Sequence, residues 1–164
     1  MWLNFLIIPF LLLADSKWNL AFLGLNWPTQ LSFVFIVFLG IKRSLSEAVW
    51  AMLLFALLAH SQGLMSLSEI LVPYLLILLL VNSVKKRITA DTYLFEAIWV
   101  MGLFFLFLCL QHLFYDYETF FSFRFYKSLK LLAYTFVHGL LAFVAFIFLD
   151  ELYAALFKGK KNFS

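Results

Sequence analysis

Long apolar runs separated by short polar connections make up most of this chain. The runs cover about residues 2–14, 28–41, 46–60, 68–84, 92–113 and 129–149. A helix needs roughly 20 apolar residues to cross a bilayer, and several of these runs are shorter. Short spans are accommodated by local thinning of the bilayer or by packing against longer neighbours. The pattern predicts an all-α integral membrane protein, a single domain over 1–164 built as a bundle of about six transmembrane helices.

The first 26 residues contain two apolar stretches. Asn4 and Pro9 interrupt the first stretch, and the sequence "LAFLGLNWP" forms the second. The first lacks the basic region of a secretory signal, so we interpret it as a retained helix. The second either re-enters the membrane or lies flat at its surface, and the sequence leaves both readings open.

The tetrapeptide Ser-Leu-Ser-Glu occurs twice, at Ser44 to Glu47 and at Ser66 to Glu69. Ser-x-x-Glu before an apolar run is a capping box, in which the hydroxyl and the carboxylate each accept from a backbone N–H of the first turn. The interval of 22 residues corresponds to roughly 33 Å of helix, which is one crossing plus a turn. We therefore predict two helix starts on opposite membrane faces.

Composition supports the same class of protein. Hydrophobic residues make up 65% of the chain and charged residues 13%, against roughly 45–50% and 25% in soluble domains. No segment is polar enough to fold as a separate soluble domain. The single cysteine, Cys109, excludes an internal disulfide.

Basic residues predict the orientation. If the amino terminus is cytoplasmic, eight of the 12 Lys and Arg residues lie on the cytoplasmic side and four on the other. Because cytoplasmic connections carry the excess of Lys and Arg, we expect both termini in the cytoplasm of a bacterium, with the protein in its inner membrane. The predicted basic anchors at the lipid headgroups are Lys42, Arg43, Lys85, Lys86 and Arg87.

Polar residues inside apolar runs are the candidates for function, because they are costly to hold in lipid. His138 lies near the middle of the last run, where a neutral imidazole bonded across two helices and a proton-relay or ligand group are both open interpretations. Glu96 lies one turn inside the fifth run, where we expect it to support the positive helix start. His60, Gln111 and His112 end their runs on the outer face and could line a pocket there.

Catalytic motifs are missing from the sequence. It has no glycine-rich phosphate loop, no paired cysteines and no His-Glu-x-x-His, and its three histidines lack metal-ligand spacing. We therefore predict no enzyme, no catalytic or metal-binding residue and no cofactor. The aromatic and basic stretch "YDYETFFSFRFYKSLK" suits the membrane interface, so we expect membrane lipid and no nucleic acid as its partner.

Residues 27–90 resemble the bacterial rod shape-determining protein MreD family. The similarity lies in a Pro-initiated second helix at Pro28, a basic turn at Lys42 and Arg43, a turn at Gly63 and Leu64, and a basic cluster at Lys85 to Arg87. The chain departs from the family's pattern after the third helix, where His60 to Gln62 replace an Asp and a second Gly.

The resemblance implies a non-catalytic inner-membrane scaffold of the cell-elongation machinery, which organises peptidoglycan synthesis. It implies contact with a single-pass, MreC-like partner helix and with peptidoglycan-synthesis proteins. The fold implied is the one shared with substrate-binding components of vitamin transporters. Such a component, with a small ligand in an outer cavity, is the alternative function.

Overall fold

The structure, a computed structural model, describes the backbone of residues 2–17, 19–22, 25–28, 30–62, 66–85, 93–115 and 125–157, and the side chains of 6–15, 30–62, 66–85, 93–111 and 131–156. Six helices and one pair of strands lie within these ranges. In chain order they are α1 (Trp2–Lys17), β1 (Asn19–Phe22), β2 (Leu25–Pro28), α2 (Leu31–Lys42), α3 (Leu45–Ser61), α4 (Leu67–Val84), α5 (Tyr93–Tyr115) and α6 (Phe125–Phe157).

Three of these helices are long and apolar enough to cross a membrane. Their apolar segments are Leu67–Val84, Tyr93–Gln111 and Leu131–Leu156, while the apolar parts of α1, α2 and α3 are shorter. The predicted helical membrane architecture is confirmed at this level. The last helix is longer than the predicted run of 129–149 because Phe125 to Ser128 before it and Asp150 to Phe157 after it belong to the same helix.

A short β-hairpin separates α1 from α2. β1 and β2 are antiparallel, and their register pairs Asn19 with Pro28 and Phe22 with Leu25. This hairpin occupies the stretch for which we predicted a re-entrant or surface segment, and it adds two strands to the predicted all-α fold. It also moves the start of α2 from Pro28 to Leu31.

The core of the bundle is α2. Every residue from Ser32 to Ile41 is buried, so this helix has no face left for lipid or water. A helix that is apolar all round is typical of the interior of a large bundle. At 12 residues it is about 18 Å long, which is too short to cross a bilayer of about 30 Å alone.

Aromatic rings fill the space between α2 and its neighbours. The Phe33 ring lies 4.8 Å from Phe107 and 5.0 Å from Phe104 of α5, measured between centroids. Phe38 lies 5.1 Å from Phe146 of α6, edge to face. Tilted and edge-to-face pairs at these distances add attraction to the packing of the rings. These ring contacts join α2 to α5 and α6.

Glycines mark two close crossings of helices. A Cβ built on Gly40 of α2 would meet Val81 and Leu78 of α4 at 3.2 and 3.3 Å, and one built on Gly139 of α6 would meet Met101 of α5 at 3.2 Å. Gly102 of α5 differs, since its Cβ would meet nothing within 4 Å among the residues that the structure describes. Small residues at crossings let backbones approach closely in membranes. Gly40 and Gly139 therefore serve helix packing within the bundle.

The variants Gly40→Leu and Gly102→Leu should differ sharply in stability. At Gly40 the added side chain crowds α4, which should lower the free energy of unfolding by about 1–3 kcal/mol. At Gly102 the side chain enters open space, and the better helix propensity of Leu should leave stability unchanged or slightly raised. Reversible unfolding in bicelles measures both. Equal losses for the two variants would contradict the packing described for Gly40.

Candidate functional site

Side chains from two other helices bind the backbone at the start of α2. The Asp15 carboxylate of α1 accepts from the backbone N–H of Leu31 at 2.7 Å and of Ser32 at 3.0 Å. His138 Nε2 of α6 accepts from the N–H of Gln30 at 3.1 Å. The first N–H groups of a helix have no partner within the helix, and a carboxylate there also favours the positive end of the helix dipole. This group of residues, Asp15, Gln30, Ser32 and His138, is called the α2-start cluster below.

Geometry fixes the protonation state of His138. Its Nδ1 lies 2.9 Å from the carbonyl oxygen of Tyr134, so Nδ1 carries the proton and donates it. Nε2 can then accept from Gln30 only if the ring is neutral. The imidazole is fully buried and stacks on Phe104 with centroids 4.1 Å apart. Both nitrogens therefore bond to backbone groups of the bundle, one of them at the start of α2.

Charged groups surround the other end of α2. Lys85, just after α4, donates from Nζ to the carbonyl oxygen of Gly40 at 3.1 Å and to that of Arg43. These carbonyls belong to the end of α2, where the helix leaves acceptors without partners. Partial burial lowers the pKa of the Lys85 ammonium from its ordinary value. The Arg43 guanidinium lies over the Tyr153 ring, 4.2 Å from its centroid.

An ion-pair cluster joins the same end of α2 to α5 and α6. Lys42 Nζ lies 2.6 Å from Glu96 Oε1 of α5 and 3.5 Å from Asp150 Oδ2 of α6. Glu96 is buried, whereas the side chains of Lys42 and Asp150 are 27% and 30% exposed. Glu96 does lie in the first turn of α5, as predicted, but its charge is paired with a lysine that we predicted to anchor lipid. Lys42, Glu96 and Asp150 are called the Lys42 cluster below.

The two clusters lie closer together than the two surfaces of a bilayer. Along α2, and along α6 between His138 and Asp150, the separation is 12 residues or about 18 Å. The hydrocarbon core of a bilayer is about 30 Å thick. The side chains of Lys42 and Asp150 are partly exposed, whereas Ser32 and His138 of the α2-start cluster are buried.

The remaining predicted positions act mainly as helix ends. Ser66 and Glu69 form a complete capping box at the start of α4, and Ser44 Oγ accepts from the N–H of Glu47 at 3.1 Å at the start of α3. His60 is exposed at the end of α3, and Gln111 is partly buried in α5. The side chain of His112, with Lys86 and Arg87, lies outside the described residues, as do Gly63 and Leu64.

A cavity of about 320 Å³ lies between α4 and α5 and includes none of the three predicted pocket residues. It is open to the surface of the bundle, and its lining is almost wholly apolar. The lining residues are Leu80, Ile98, Trp99, Gly102, Leu103 and Leu106. This cavity is called the Gly102 groove below. Sequence reasoning missed it, although Gly102 within an otherwise bulky run was a usable signal.

The polar side chains of the two clusters bond mainly to other parts of the bundle. Within the ranges that the structure describes, no three His, Cys, Asp or Glu residues are placed to hold a metal ion. Most buried polar atoms of the two clusters are bonded to backbone groups or to opposite charges. Three buried side-chain oxygens in the described ranges have no protein partner, namely Gln30 Oε1, Ser32 Oγ and Glu96 Oε2.

Comparison with known proteins identifies no relative. No model of a protein family, no curated protein and no solved structure matches the chain. The resemblance over residues 27–90 therefore depends on its sequence features alone.

Replacing His138 should destabilise the protein more than it impairs function. In His138→Ala the buried N–H of Gln30 loses its acceptor and Phe104 loses its stacking partner. We expect the free energy of unfolding to fall by about 2–4 kcal/mol, from an unsatisfied buried donor and a cavity. The control His60→Ala, at an exposed position, should change it by less than about 0.5 kcal/mol. A His138→Ala protein of normal stability that has lost its function would contradict a structural role.

Removing the Lys42 charge should lower the free energy of unfolding only while Glu96 stays charged. Lys42→Met leaves a buried carboxylate without its cation. The expected loss of about 1–3 kcal/mol is below the roughly 3–5 kcal/mol of fully buried pairs because the ammonium is partly exposed. The double variant Lys42→Met/Glu96→Gln should recover most of that loss. A double-mutant cycle in bicelles measures the coupling, and additive losses would show that the pair contributes nothing.

Proposed function

We propose that the protein is a non-catalytic scaffold of the bacterial inner membrane, part of the cell-elongation machinery, which receives a single transmembrane helix of a partner in the Gly102 groove. The observation that carries this proposal is the groove itself. It is the place on the described bundle where a glycine faces open space beside a cavity, and Gly102 lies inside a segment long and apolar enough to cross a membrane.

Comparison of the three described helical glycines supports a helix as the occupant. Gly40 and Gly139 each lie where another helix of the bundle crosses within van der Waals distance. A glycine inside a helix costs about 1 kcal/mol relative to alanine, and close packing of a second helix is what offsets that cost in lipid. A Cβ built on Gly102 meets no atom of the described residues within 4 Å.

The residues around Gly102 suit such packing. Ile98 and Leu106, one turn away on either side, are 53% and 38% exposed. Together with Leu80 of α4 they form apolar walls on either side of the glycine. A partner helix with its own small residue at the crossing would fit between those walls.

The clusters at the ends of α2 support the non-catalytic part of the proposal. Asp15, His138, Lys85 and Lys42 each bind a backbone group or an opposite charge of the bundle. General acid, base or nucleophile chemistry needs a group that can reach a substrate. The resemblance over residues 27–90 supplies the machinery in which such a scaffold works, through an MreC-like partner and peptidoglycan-synthesis proteins.

Blocking the groove should abolish partner binding without unfolding the bundle. In Gly102→Leu, capture of the single-pass partner from detergent-solubilised membranes should fall at least about tenfold, or roughly 1.4 kcal/mol. The matched control is Leu140→Phe, at an exposed apolar position of α6. It should bind the partner normally.

The same variants separate the two candidate functions in cells. Depletion of the protein should cause rod-shaped cells to round, and Gly102→Leu should fail to restore their shape while Leu140→Phe restores it. If Gly102→Leu restores the rod shape and captures the partner normally, the groove is not the binding site. A protein that instead retains a small molecule through purification would favour the transporter component.

A further inference from the structure

The start of α2 carries two oxygens that the protein leaves without hydrogen bonds. Ser32 is 2% exposed, and its hydroxyl has no partner among the described residues. Gln30 Oε1 is buried and is likewise without a partner. A buried hydroxyl or amide oxygen without a partner costs about 1–3 kcal/mol.

The backbone donors nearby are already used. Asp15 accepts from Leu31 and Ser32, and His138 accepts from Gln30. The N–H groups of Phe33 and Val34 donate to the carbonyl oxygen of Gln30. The first turn of α2 therefore offers an incoming group Gln30 Oε1 as an acceptor and the Ser32 hydroxyl as a donor or an acceptor. An occupant of this site must be able to donate a hydrogen bond to Gln30 Oε1.

Charge argues for a neutral occupant. The one carboxylate of the cluster, Asp15, already accepts two N–H bonds at the positive end of the α2 dipole. A cation would find no second carboxylate among the described residues there, since no acidic cluster suited to a metal lies in those ranges. Water is small and neutral and can donate two hydrogen bonds, and buried waters commonly join polar groups that the protein leaves unpaired.

We propose that the start of α2 is an internal hydration site, in which ordered water donates to Gln30 Oε1 and bonds to the Ser32 hydroxyl. The β-hairpin, which ends at Pro28, precedes this end of α2 in the chain. This inference goes beyond the proposed scaffold function and does not depend on it.

Water-edited solid-state NMR of the full chain in lipid bilayers tests the proposal. Magnetisation from water should reach the Ser32 side chain at least about threefold faster than the Thr135 side chain. Thr135 is the matched control, because it is a buried hydroxyl at similar depth whose Oγ1 donates to the carbonyl oxygen of Leu131 at 2.7 Å. Phe38, in the middle of α2, reports the dry core.

The rate of magnetisation transfer from water to Ser32 shows whether the site is hydrated. Fast transfer to Ser32, with slow transfer to Thr135 and Phe38, is the expected result. Transfer to Ser32 as slow as to Thr135 would overturn the proposal, because the hydroxyl would then be buried without water. Neither result depends on whether a partner helix binds the Gly102 groove.

Discussion

An enclosed helix must have its end groups satisfied by side chains, and this constraint shapes the whole protein. α2 is buried from Ser32 to Ile41 and is too short to cross a bilayer alone. An unpaired amide or carbonyl in such a place would cost several kcal/mol. Three helices therefore each contribute a side chain or a following residue: Asp15 from α1, His138 from α6 and Lys85 after α4.

The same contacts explain why so few charged residues suffice to specify the bundle. Lys42 pairs with Glu96 of α5 and approaches Asp150 of α6, so one ammonium joins three helices. His138 adds a link between α6 and the start of α2. Aromatic rings and two glycine crossings fill the space between these polar links. Many large apolar side chains on the described helices are exposed, and we propose the Gly102 groove as the part of that apolar surface that binds a partner.

Local features of the structure could be predicted from the sequence, and long-range pairings could not. The start of α4 follows from Ser66 and Glu69 because a capping box involves residues only three apart. The bond from Gln30 to His138 joins residues 108 apart in the chain, and no local pattern indicates it. The hairpin was missed because its apolar residues resemble a span. Lys42 was predicted to bind lipid headgroups because the positive-inside rule counts basic residues along the chain. It takes no account of a carboxylate that the fold brings close, and Glu96 lies 2.6 Å from Lys42.

Hydrogen exchange of the amides in the first turn of α2 measures most directly whether side chains satisfy its ends. In lipid bilayers, the Leu31 and Ser32 amides should exchange as slowly as those in the middle of α2, because both donate to Asp15. The Ser46 amide, in the exposed first turn of α3, should exchange much faster. Exchange at Leu31 and Ser32 as fast as at Ser46 would show that Asp15 does not bind the start of α2. It would contradict the claim that side chains satisfy the end groups of this buried helix.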